Sequence, residues 1–216
     1  MTEPGVATTT DELVAAVVER ESALAGDRLV VAVAGPPAAG KSSIAERLTR
    51  VLNSQSPGSA AVLPMDGYHY DDAVLEARGW RDRKGAPHTF DVAGFASMLG
   101  RLRANEEPEV AVPVFDRSIE IARSAARVIP QAAHYLVVEG NYLLLDEAPW
   151  DRLIDYFDLT VFVDVDDNEI RRRLERRWSE MDGEKRRRQI DGNDMPNVRL
   201  VKAQSRPADV VYRQST

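Results

Sequence analysis

The sequence has no cysteine among its 216 residues, which excludes disulfide frameworks, thiolate nucleophiles and cysteine-ligated zinc together. That lack fits a reducing compartment, and a cytoplasmic protein is expected. No apolar run approaches the roughly 18 residues of a membrane span. The first stretch, "MTEPGVATTTDELVAAVVERESALAG", carries acids and no basic leader, so no membrane association is expected. There is no basic surplus either: the formal charge is -7. A general nucleic-acid partner is therefore not expected, and any phosphate site must be local. The three histidines, His69, His88 and His134, lack metal-ligand spacing, and each reads as a hydrogen-bonding loop or core residue. No guanine-reading Asn-Lys-x-Asp motif, internal repeat or low-complexity segment is present.

What is present alternates. Thr9 and Glu12 form a capping-box pattern before Leu13, Val14, Val17, Val18 and Leu24, which predicts an amphipathic helix over residues 10–25. Short apolar runs at 29–34, 60–65, 135–138 and 159–165, with a weaker one at 208–212, read as strands of a parallel sheet buried on both faces. Helical patterns lie at 41–53, 92–104, 149–156 and 167–181. Strands alternating with helices predict βαβ units. The stretch 109–130, with a proline in its first strand-like run, reads as an edge excursion or hairpin. At this length one domain, 1–216, is expected.

Between the first strand and its helix stands Gly35-Pro36-Pro37-Ala38-Ala39-Gly40-Lys41-Ser42, a full match to G-x-x-x-x-G-K-[ST], with Ser43 next. Its glycines let successive N–H groups turn inward, and the helix N-terminus adds its dipole to that cradle. Lys41 is expected on the β- and γ-phosphates of ATP, and Ser42 on Mg²⁺.

Two acids follow strands. Asp66, in "LPMDGYHY", is placed to accept the proton of an attacking hydroxyl, or it caps the turn at Gly67. Glu139, in "YLVVEGNYLLLD", is a Walker-B-like candidate for Mg²⁺, or a structural acid satisfying nearby amides. Residues 171–188 hold nine basic residues against four acids. They read either as a solvated helix face or as an Arg-bearing lid over about 167–190, in which Arg173 and Arg177 share one face.

In this order the motifs resemble those of the phosphoribulokinase/uridine kinase family of P-loop small-molecule kinases, over residues 28–212. "MDGYHYDDAVLEARGWRDRKGAPHTFD" is similar to a segment of type I bacterial pantothenate kinases, on Asp66-Gly67-Tyr68, Lys84-Gly85-Ala86-Pro87 and Phe90-Asp91. "VPVFD", "VVEG" and "NDMPNVRLVKAQSRPADVV" correspond to further segments of the family. A set of bacterial proteins labelled fructose transport system kinases is also similar. The resemblance implies that Asp66 is the catalytic base, and that Arg177 with Arg173 supplies the lid arginines. It implies an acceptor site bounded by Tyr68, Lys84, Phe90, Asp91, Phe115, Arg117 and Arg123. Uridine kinases carry a ribose-binding acid where this chain has Gly85, and "FDRSIEIARSAARVIP" departs from pantothenate kinases. An acid lost and arginines gained favour an acceptor with a negative group, unless Arg117 and Arg123 merely pair with surface acids.

The expected protein is thus an α/β, three-layer P-loop NTPase fold with a parallel five-stranded sheet and an Arg-rich lid. It would be an ATP- and Mg²⁺-dependent kinase acting on a hydroxyl of a small-molecule acceptor, with a homodimer as one assembly. The alternative is an ATP-binding switch or slow ATPase acting through a protein partner.

Overall fold

The structure, a computed structural model, describes residues 4–24 and 28–213. Its centre is β2 (Leu29–Ala34), buried along its whole length. Leu29, Val31 and Val33 enter one hydrophobic cluster, while Val30, Ala32 and Ala34 enter a second on the opposite face. A strand covered on both sides satisfies the pleat only if every residue is apolar, which is why this run is continuous rather than alternating.

Around it stand β1 (Gly5–Ala7), β3 (Ala60–Pro64), β6 (Tyr135–Gly140), β7 (Leu159–Asp164) and β8 (Val210–Arg213). They form a six-stranded sheet in the order β1-β8-β7-β2-β6-β3, with every neighbour pair parallel. The expectation of five strands is corrected by β1. Its three residues, of which only Ala7 is buried, are too few to leave an apolar run in the sequence.

One face is covered by α1 (Thr10–Ser22) and α2 (Lys41–Gln55), whose Leu13, Val17, Ile44 and Leu48 join the first cluster. The expected capping box is present, with Thr9 Oγ1 accepting from the Glu12 amide at 3.2 Å and Glu12 accepting from the Thr9 amide at 3.1 Å. The last residue expected in that helix, 25, lies outside the described residues. The other face is covered by α4 (Val92–Ala104) and by Tyr142, Leu143, Leu144, Leu145 and Trp150. The segment expected as a helix at 149–156 is a 3-10 helix, Trp150–Tyr156.

The 109–130 segment is a hairpin of β4 (Glu109–Asp116) and β5 (Ile121–Pro130). Its register jumps between Val112, opposite Arg127, and Val114, opposite Arg123. Pro113 stands at that jump, where a residue without an N–H leaves no ladder bond unmade. The expected helix 167–181 is shorter: α5 (Asp167–Arg177) stops at Trp178, and α6 (Gly183–Gln189) follows. A π-helical turn, Ile190–Asp194, then leads into α7 (Met195–Gln204). The remaining helix, α3 (Asp72–Ala77), lies between β3 and α4.

Candidate active site

Because the sheet is parallel, β2, β3 and β6 end on the same side. Register places Glu139 of β6 opposite Val33 on one flank and Pro64 on the other. The P-loop after β2, the turn after β3 and the end of β6 therefore meet at the mouth of one cavity of about 920 Å³.

The loop geometry is set by small residues. A Cβ on Gly35 would lie 2.8 Å from the Val163 carbonyl oxygen, so only glycine lets the chain leave β2 so close to β7. Ala38 and Gly40 have positive φ, 60° and 90°, the alternation that turns successive N–H groups to one side. α2 begins with no side-chain cap and no acid in its first turn, so its N-terminal amides and dipole are left for an anion. Lys41 is buried, and its ammonium donates to the Pro36 carbonyl at 2.9 Å and to Asn141 Oδ1 at 2.6 Å. Burial holds its pKa down at about 8, against the nearby charges of Glu139 and Asp66.

Asp66 sits in a 3-10 turn, Met65–Tyr68, directly after β3. A Cβ on Gly67 would lie 2.4 Å from the Pro113 carbonyl oxygen, so the turn packs backbone to backbone on the hairpin and fixes where Asp66 points. Burial works against its ionisation. The charges of His69, Arg117, Lys41 and Arg177 outweigh burial, and the carboxyl lies below its usual range. Arg117 donates to Asp66 Oδ2 at 2.7 Å. Glu139 faces the opposite balance: burial and the charge of Asp66 push it up to about 7, opposed by Lys41 and by a hydrogen bond from Ser42.

The basic segment closes the cavity from the other side. Arg173 Nη1 donates to the P-loop carbonyls of Ala38 at 3.3 Å and Ala39 at 3.1 Å, while its Nε holds Glu169 at 2.7 Å. Arg177 lines the cavity without a hydrogen bond or ion pair among the described residues, and burial lowers its pKa. Trp178 Nε1 donates to Asp194 Oδ2 at 2.8 Å, tying the end of α5 to the π-helical turn.

Of the residues assigned to the acceptor wall from sequence, Lys84, Phe115 and Arg117 line the cavity. Lys84 spends its ammonium on Asp72 at 2.6 Å and on the Glu120 carbonyl at 2.6 Å, holding the hairpin turn to α3. Tyr68, Phe90, Asp91 and Arg123 are not brought to the cavity wall. Tyr68 packs on Phe95 and Phe90 on Tyr142 and Trp150, both in the core. Asp91 caps α4 by accepting from the Gly94 amide at 2.9 Å, and Arg123 pairs with Asp116 at 3.2 Å.

Sequence reasoning missed several cavity residues. Asn141 holds Lys41 and stands just after the recognised Glu139-Gly140, where position could have flagged it. His69 stacks against Phe90 and Phe115 with centroids at 4.0 and 4.8 Å. From sequence it reads as a loop or core histidine, and its place on the wall follows only from the fold. Arg83 donates to Asn193 Oδ1 at 3.2 Å across 110 positions of sequence, a contact no local pattern announces.

The profile of the Phosphoribulokinase / Uridine kinase family matches residues 30–213. The chain is 34% identical over 194 residues to YggC, an uncharacterized protein of Escherichia coli strain K12, covering 87% of this chain and 78% of that one. It is 32% identical over 139 residues to a pantothenate kinase of Limosilactobacillus reuteri, a match covering 63% of this chain and 45% of that enzyme. Among solved structures, a Silicibacter sp. TM1040 protein assigned as a fructose transport system kinase superposes with a TM-score of 0.88 at 35% identity. That match covers 95% of this chain and 100% of the other. No helix among the described residues is long and apolar enough to cross a membrane.

Proposed function

The chain belongs to the phosphoribulokinase/uridine kinase family, and from that premise we propose that it transfers the γ-phosphate of ATP, bound with Mg²⁺, to a hydroxyl of a small polar metabolite lodged beside Asp66. The observation that carries this reading is the convergence of the buried Lys41, the P-loop and Asp66 on one cavity.

The residues present fit a magnesium nucleotide. No group of three His, Cys, Asp or Glu among the described residues could hold a metal alone. That is the expected situation for Mg²⁺, which takes few protein ligands and shares the phosphates of its nucleotide. The Ser42 hydroxyl and Glu139, hydrogen-bonded to each other, would provide the protein oxygens. When bound, the ion supplies charge neutralisation to the phosphate oxygens.

The chain's own groups do the rest. The amides of residues 38–42 hold the phosphates, and Lys41 shifts from Asn141 and Pro36 to a phosphate oxygen. Asp66 orients the acceptor hydroxyl in line and takes its proton as the new P–O bond forms. Arg177, with no hydrogen bond or ion pair among the described residues to give up, meets the charge that spreads over the transferring phosphoryl group.

A coupled assay of ADP release against sugars, nucleosides, pantothenate and sugar phosphates tests the reading directly. With any acceptor so found, Asp66→Asn keeps the shape and removes the base. Turnover should fall by about 10² to 10⁴ fold with ATP affinity little changed. Collapse of ATP binding in that variant would make Asp66 a structural or metal residue and remove the proposed base.

A further inference from the structure

Of the basic residues that line the cavity, Arg81, Arg83, Lys84 and Arg117 lie outside both the P-loop and the 167–190 segment. Two of these are spent within the fold, since Arg81 and Lys84 both pair with Asp72, at 2.8 and 2.6 Å. The other two are not. Arg83 uses only its Nε, on Asn193 at 3.2 Å, and its two Nη groups have no hydrogen-bond partner among the described residues. Arg117 uses one Nη, on Asp66 Oδ2, from a side chain that is 55% exposed. Asp82 and Glu120 also line the cavity, but no hydrogen bond joins either carboxylate to Arg83 or Arg117.

We propose, building on the kinase reading above, that the acceptor carries an anionic group held between Arg83 and Arg117, and that this anion draws Arg117 off Asp66. Without an acceptor, Arg117 holds Asp66 Oδ2, one of the two carboxylate oxygens open to an attacking hydroxyl or a water molecule, and its charge lowers the basicity of both. The pair is exposed on the Arg117 side, where water screens the guanidinium and lets it exchange to another anion. A carboxylate or phosphate on the acceptor offers Arg117 a bidentate partner in exchange, and Arg83 a second charge-assisted contact. A neutral acceptor offers neither and leaves Asp66 Oδ2 paired with Arg117. Specificity then comes partly from what the wrong molecule fails to release. The same pairing restrains transfer to water while the acceptor is absent.

The test uses matched acceptors that differ in charge: glycerate and glycerol, pantothenate and pantothenol, fructose 6-phosphate and fructose, uridine monophosphate and uridine. Each is followed by turnover and by calorimetric binding to the protein with a non-hydrolysable ATP analogue. We expect an anionic member to exceed its neutral partner by about 100-fold or more in kcat/KM, and the carboxylate and phosphate arms show which anion it is. In Arg117→Ala, an exposed change that spares the fold, the KM of the anionic acceptor should rise roughly tenfold or more while that of ATP stays put. ATP hydrolysis without acceptor should rise several-fold. Arg117→Lys should restore part of the acceptor affinity, as a charge without the fork.

Neutral members binding and reacting as well as anionic ones, or an unchanged hydrolysis rate in Arg117→Ala, overturns the inference and leaves the kinase reading standing. If no member reacts, anion binding weakened in Arg117→Ala together with faster hydrolysis still supports it, and loss of either observation overturns it. The kinase reading itself fails on a different result, wild-type ADP release no faster than that of Lys41→Ala under every condition.

Discussion

Glu139 shows how a single carboxylate can be held at odds with its surroundings. Its ordinary pKa of 4.5 is raised to about 7, first by burial and then by the charge of Asp66. Below about pH 4.5 the group is neutral whether folded or unfolded and contributes nothing. Between that point and about pH 7 the unfolded chain ionises it and the native protein does not, so stability falls as pH rises, and the full deficit remains above pH 7. Glu139→Gln removes the charge that the fold resists. Denaturant unfolding of the nucleotide-free protein should therefore find the variant more stable at pH 8, by up to about 3 kcal/mol, with the gap closing toward pH 5. A gap that does not change with pH would mean that Glu139 is not the strained group. The gain should come with loss of activity, the usual exchange between stability and a polar site. Sequence made Glu139 and Asp66 legible as strand-end acids beside a P-loop. It could not say that one is pushed up and the other down, since that depends on which charges the fold brings near each.

At the scale of elements, legibility followed the length and pattern of each segment. α1 is readable because its capping box and apolar stripe are local, and the five longer strands of the central sheet because each carries a short apolar run. The break between α5 and α6 was passed over because the basic residues on both sides looked continuous. Asp182 nevertheless accepts from the amides of Glu184 and Lys185 at 3.0 and 3.4 Å, a cap signal that "MDGEK" carries openly. The π-helical turn has no local signature, and its role comes from Trp178 meeting Asp194. These helices bring Arg173 onto the P-loop carbonyls and leave Arg177 in the cavity without a hydrogen bond or ion pair among the described residues. A cation that meets its partner fully only as charge develops should act on turnover more than on binding. Arg177→Ala is therefore expected to lower kcat by about 10- to 100-fold while the Kd for ATP moves less than about threefold. Equal kcat in variant and wild type would return α5 and α6 to the reading of a solvated basic face.

Across the whole molecule, chemistry and stability are placed at opposite ends of the same strand. The P-loop leaves the C-terminal end of β2, and Arg28 stands just before its N-terminal end. Arg28 is 6% exposed and has no carboxylate partner among the described residues. It donates instead to the carbonyls of Ala133, Leu102, Pro130 and Gln131, at 2.7 to 3.2 Å. One guanidinium thus joins the end of α4, the end of β5 and the turn into β6. A lone arginine before a strand reads in sequence as a surface charge, so this staple was invisible until the fold closed around it. Arg28→Ala would leave the buried carbonyls of Leu102 and Ala133 short of a donor and open a void, a loss of about 3 kcal/mol. For a domain of this size that is a fall in Tm of roughly 6 to 12 °C. No group of the proposed mechanism touches Arg28, so kcat and the KM for ATP measured well below the new Tm should match the wild type. A variant that keeps its Tm would show the staple to be unimportant, and one that loses turnover while fully folded would show that the base of the sheet reaches the cavity.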